Sequence, residues 1–249
     1  FVVDGQLHWG SWTGAGEIGH TTIVPNGGAL CRCGNTGCLE TLVSEHGAET
    51  IAAVIVEPVA CSTGVLPPPK GYLERLREIC TKHGILLIFD EVQTGLGLTG
   101  SMWAFETLGV TPDIVAFGKK TQVCGIYAGP RVDEVPENVF HRPGRINSTW
   151  GGNLVDMVRC TKTLEIIEEE KLIENTARQG AVMVDGLEGI AAESSGVISN
   201  VRGKGLMIAY DLPDHKQRDI MLNTMFENGL LAMKSGDHSI RFRGMLDTP

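Results

Sequence analysis

The sequence predicts an α/β protein: a three-layer, mostly parallel sheet over residues 45–152, a smaller α+β domain over 153–249, and a short turn-rich fragment over 1–44. Three observations predict it. The runs IAAVIV (51–56), ILLIF (85–89) and IVAF (114–117) are short and continuously apolar, as suits strands buried on both faces. Helix-period segments separate them, and strand–helix–strand order brings right-handed crossovers with parallel pairing. Past residue 153 the texture changes to long helical periodicity followed by alternating strands.

In chain order, VVDGQLHWG opens the sequence and predicts two short strands around Asp4–Gly5. Residues 1–44 hold too few apolar side chains for a core of their own, so this segment needs a metal or a partner surface. YLERLREICTKHG carries Leu73, Leu76, Ile79 and Cys80 on one helical face, with Gly84 placed to stop it. SMWAFETLG is a shorter helix ending at Gly109. A long helical pattern with breaks runs from about Leu154 to Ile190, then VISNVRGKGLMIAYDL predicts a hairpin, 215–228 a helix, and SIRFRG a last strand. The start lacks an initiator Met, so the chain reads as beginning inside a longer protein, and its end just after a strand reads as a truncation.

A net charge of −9 excludes the basic stripe of a nucleic-acid binder and suits neither anionic membranes nor their surfaces. No apolar run approaches the ~20 residues of a membrane span. Cys61, Cys80, Cys124 and Cys160 are scattered and read as small hydrophobes in a reducing cytoplasm.

Each buried strand runs into a polar residue: Glu57, Asp90 and, through Gly118, Lys119. Ligands of open parallel sheets bind at the carboxyl ends of the strands. One chemistry needs an acid and a lysine there. Pyridoxal 5′-phosphate forms an imine with a lysine amine and uses its ring as an electron sink. A carboxylate beside the ring nitrogen keeps that nitrogen protonated. Asp90 fits the carboxylate and Lys119 the amine, which could later act in proton transfer. The sequence GLGLTG (95–100) also matches a dinucleotide fingerprint, but DEVQT intervenes after the strand and the spacing to Asp113 is wrong.

FDEVQTG, PDIVAFGKK and NSTWGGN resemble the class III pyridoxal-phosphate aminotransferases, and with RVDEV and RFR the pattern is most similar to lysine 6-aminotransferases over about 46–249. The stretch 46–92 resembles the omega-amino-acid–pyruvate branch. The resemblance implies a type I fold and transfer of an amino group from an amino acid, lysine in that branch, to a 2-oxo acid such as 2-oxoglutarate. It implies Lys119 as the cofactor lysine with Lys120 a bystander, Asp90 at the ring nitrogen, Gln93 near the ring hydroxyl, and Glu57 at the family's Glu-Pro pair. Thr149 would reach the phosphate in the neighbouring subunit of a homodimer, Asn147 and Ser148 would line the substrate site, and Arg241 would grip the keto-acid carboxylate. Ser62 stands where lysine-type members carry a glutamate, Cys61 replaces a glycine, and Gly244–Met245 replaces a Pro-Pro turn. The family's first half, with its phosphate cup and stacked aromatic ring, is expected to be missing, leaving a half-built site.

His20, Cys31, Cys33 and Cys38 form a Cys3His set with Gly34 and Gly37 between the thiols, a pattern suited to a structural Zn2+. GAGEIGH and CRCGNTGCLE resemble the ROK sugar kinases and repressors, which implies sugar contacts for Glu17, His20 and Glu40. The two resemblances together suggest a chimera. The second expectation for function is therefore a non-catalytic, zinc-stabilised module with a sugar-binding remnant.

Overall fold

The computed structural model describes residues 51–142, 144, 145, 149 and 151–249, together with the backbone of 2–3 and 6–7 and residues 30 and 36. Strands β1 (Val2–Val3) and β2 (Gln6–Leu7) pair antiparallel, as the Asp4–Gly5 turn signal predicts. Glu17, His20, Cys31, Cys33, Cys38 and Glu40, and with them the expected zinc and sugar contacts, lie outside the described residues, as do Asn147 and Ser148.

The first large unit runs β3 (Ala53–Val56), α1 (Tyr72–Lys82), β4 (Leu86–Asp90), α2 (Ala104–Leu108), β5 (Ile114–Phe117) and β6 (Gly125–Ala128). Its sheet order is β3-β4-β5-β6, parallel up to β5 and closed by antiparallel β6. Val54, Leu87 and Phe89 bury against Leu73, Leu76 and Cys80 of α1, with Phe105 and Leu108 of α2 alongside. The alternate positions depart from the expectation of strands buried on both faces: Ile55 is 48% exposed, and Leu86 and Ile88 are half-buried. Among the described residues the helical layer is complete on one face only.

The second unit begins with α3 (Leu154–Glu169) and α4 (Leu172–Glu193). Asn153 caps α3 by accepting the Val155 N–H at 3.0 Å, and the expected break between the helices falls at Lys171, whose φ is 51°. There follow β7 (Ser199–Lys204), β8 (Met207–Asp211), α5 (His215–Glu227), β9 (Met233–Ser235) and β10 (Ser239–Arg243). They form an antiparallel sheet of order β7-β8-β10-β9. Tyr210, Leu212, Ile240 and Phe242 pack beneath Met183 and Leu187 of α4 and Met221 and Met225 of α5. A second core joins the two units, since Val59, Cys61 and Leu98 bury with Leu206, Met207 and Ala209. This join carries β10 to the carboxyl ends of β3 and β4.

Candidate active site

Parallel register places Val56 opposite Phe89 and Asp90 opposite Ala116, so β3, β4 and β5 end side by side. Glu57, Asp90 and Lys119 emerge there, and the Glu57 carboxyl feels the charges of Asp90, of Lys119 and of Arg241 from β10. Burial pushes the Glu57 carboxyl above its ordinary range. The Cys61 N–H, donating to its Oε2 at 3.2 Å, opposes that; Asp90 adds to the rise, while Lys119 and Arg241 reduce it.

Asp90 accepts the Val92 N–H on Oδ1 at 3.0 Å, and its other oxygen has no hydrogen bond among the described residues. Lys119 opens a 3-10 turn (Lys119–Thr121) with φ at 53°. A β-carbon in this left-handed region costs about 1–2 kcal/mol, and such strain clusters at functional sites. The Lys119 amine makes no hydrogen bond or ion pair with described residues.

Arg241 donates from one terminal nitrogen to the Cys61 carbonyl at 2.9 Å and, more weakly, to Gln93 Oε1 at 3.5 Å. Its Nε is buried and without a partner. The Cys61 carbonyl is fixed in turn by the Ser235 hydroxyl at 3.0 Å. Gln93 donates to Ser62 Oγ at 3.1 Å, so the residue at the departed glutamate position is tied to the arginine through Gln93. Thr149 is exposed.

Lys120 has a larger part than that of a bystander. Its half-buried amine donates to the carbonyls of Gln93 and Gly95, at 3.0 and 2.9 Å, and so pins the loop that carries Gln93. Burial, followed by the charge of Arg243, pulls its pKa down to about 8. Only the doubled lysine in FGKK hinted at this. The 95–100 glycine stretch forms turns packed under Trp103, and no helix starts until Ala104, so it is not a dinucleotide loop.

A free amine, a carboxylate with an open oxygen and a guanidinium with an orphaned N–H therefore meet at the sheet's carboxyl edge. That donor set fits an aldehyde cofactor with a basic ring nitrogen, beside a carboxylate substrate. The class defined by this fold and site is an aminotransferase. The chain belongs to the class-III aminotransferases, whose family model matches residues 29–248.

It is 47% identical over 197 residues to an L-lysine-epsilon aminotransferase of Streptomyces clavuligerus, covering 79% of this chain and 43% of that protein. It is 38% identical to an acetylornithine aminotransferase of Thermosynechococcus vestitus, covering 88% and 54%. Among solved structures it superposes on a lysine aminotransferase from M. tuberculosis with a TM-score of 0.82 at 42% identity, covering 86% of this chain and 49% of that one. The chain thus spans about half the length of the relatives it matches. The family match includes Cys31, Cys33, Cys38 and Glu40, which gives no support to a separate ROK fragment, a zinc clip or a chimera. Among the described residues no cluster of His, Cys, Asp and Glu could hold a metal, and no helix is long and apolar enough to cross a membrane.

Proposed function

We propose that this chain carries the lysine-bearing part of a pyridoxal-phosphate-dependent transaminase that moves an amino group from a lysine-like donor to 2-oxoglutarate. The meeting of Glu57, Asp90, Lys119 and Arg241 at three strand ends carries the reading. Bound pyridoxal phosphate would supply an electron sink for the electron pair left when the substrate carbon loses its proton. Lys119 would hold the cofactor and, once displaced by the substrate amine, move that proton. Asp90 would keep the ring nitrogen protonated through charge pairing. Gln93 would lie near the ring hydroxyl. Arg241 would bind the substrate carboxylate in two parallel hydrogen bonds, relieving its orphaned Nε.

Thr149, with Asn147 and Ser148 at the substrate site, belongs to the same proposal, which takes the working form to be a cytoplasmic homodimer. The test is to add pyridoxal phosphate, reduce with borohydride, and map the modified lysine by peptide mass. Label confined to Lys119 supports the reading. Label spread over surface lysines, or no label, rejects it.

A further inference from the structure

A cavity of about 600 Å³, lined by none of Glu57, Asp90 and Arg241, opens between the 119–122 turn, the α3–α4 junction and the end of β10 with the residues after it. Its lining combines the cations Lys119, Lys120 and Arg243 with apolar Ile166, Ile167 and Leu246. Among the described residues lining it there is no acid. Arg243 makes no hydrogen bond or ion pair with described residues, unlike Arg241, which is tied to Cys61. Lys120 feels the like charge of Arg243. The nearby Glu91 acts on Lys120 through its charge but does not line the cavity, its oxygens accepting instead from Thr94 and from the N–H groups of Ala104 and Phe105.

Two cations without partners among the described residues, Lys119 and Arg243, beside apolar side chains in a volume of small-ligand size, describe a receptor for an amphipathic anion. We propose that this cavity is a second anion site, separate from the Arg241 carboxylate site, that binds a carboxylate with an aliphatic body. The headgroup would sit between Arg243 and the lysines and the chain along Ile166, Ile167 and Leu246. Because Lys119 borders the cavity, an occupant would change the charge around the amine that the transaminase reading uses. The site itself does not depend on that reading, and binding is measured without pyridoxal phosphate.

Titrate octanoate into the 249-residue chain by calorimetry, with octylamine as the charge control and Arg243→Gln, Met245→Glu and Arg241→Gln as variants. Arg243 and Met245 are exposed, so neither change should disturb folding. Octanoate is expected to bind and octylamine not. Arg243→Gln should weaken octanoate by about tenfold or more, the scale of a lost charge-assisted hydrogen bond, and Met245→Glu should weaken it similarly. Arg241→Gln should leave it unchanged. No octanoate binding, equal binding of octylamine, or loss in Arg241→Gln with retention in Arg243→Gln would each overturn the site.

Discussion

Asp113 is the residue whose loss should do most damage per atom changed. Its Oδ2 accepts from the Leu87 N–H at 2.7 Å, from Arg77 of α1 at 2.9 Å, and from Arg131 at 3.0 Å. Its own backbone N–H donates to the Leu87 carbonyl at 2.7 Å. One buried side chain therefore joins α1, β4, the start of β5 and the turn after β6. Asp113→Asn keeps an oxygen for Leu87 but removes the charge facing two guanidiniums. Breaking a buried ion pair costs about 3–5 kcal/mol, whereas exposed pairs are worth about 0–1 kcal/mol. The arginine side chains are 21% and 25% exposed, so water recovers part of the loss, and about 3 kcal/mol is expected. Set against a typical stability of about 5–15 kcal/mol, that is a large fraction. Urea unfolding of the variant, alone and combined with Arg77→Met, would measure the loss and the coupling between the pair. A loss under about 1 kcal/mol, with no coupling, would refute the view of Asp113 as the structural hub of the first unit.

Three further outcomes are expected. A β-carbon on Gly180 of α4 would overlap the Gly205 carbonyl, so Gly180→Ala should destabilise by about 2–3 kcal/mol in urea despite alanine's better helix propensity. Lys120, its pKa lowered from 10.5 to about 8, binds fewer protons folded than unfolded between those values. The Lys120 contribution should therefore rise with pH from about 8 to about 10.5, read as the difference between urea titrations of the unaltered chain and of Lys120→Met. The difference is needed because the Cys61 and Cys80 thiols, raised to about 12 and about 11, lower stability in both chains above about 9. Burial raises the Asp211 carboxyl, but hydrogen bonds from Ser239, Asn200 and Arg202 outweigh it and hold the pKa below 3.8. Its stabilisation is present above that ordinary value and lost as pH falls through the depressed one. The stability penalty of Asp211→Asn should be full at neutral pH and fade in acid.

The strands and their polar ends were legible because a continuous apolar run that stops at an acid or a lysine leaves little room for another reading. Glu57, Asp90 and Lys119 follow from that pattern. The same runs could not tell a strand buried on two faces from one buried on one, since Ile55 is as apolar as Val54 and only the covering layer separates them. Asp113 was opaque for another reason. Its side-chain partners lie 18, 26 and 36 residues away, and no local spacing encodes them. Lys119 and Lys120 are chemically identical in sequence. The turn separates them, leaving the first amine without a partner among the described residues and giving the second two backbone carbonyls.

Arg241 and Arg243 show how far such separation goes. They stand two residues apart on β10, on the face opposite buried Ile240 and Phe242, so both face the first unit. Arg241 meets the Cys61 carbonyl, which the Ser235 hydroxyl holds in place, and its buried Nε has no acceptor among the described residues. A guanidinium fixed in this way loses little freedom on gripping an anion, and the orphaned donor adds to the gain when an acceptor arrives. Arg243 remains exposed and unheld, beside cations rather than carbonyls. An anion gains charge compensation there but meets no preset geometry. The first arginine is thus suited to selecting one carboxylate orientation, and the second to accepting many. Replacing each by lysine should separate them: on the proposed transaminase role, Arg241→Lys would forfeit paired hydrogen bonds to a 2-oxo acid and with them most of its binding, while on the proposed second site Arg243→Lys keeps the charge that octanoate needs.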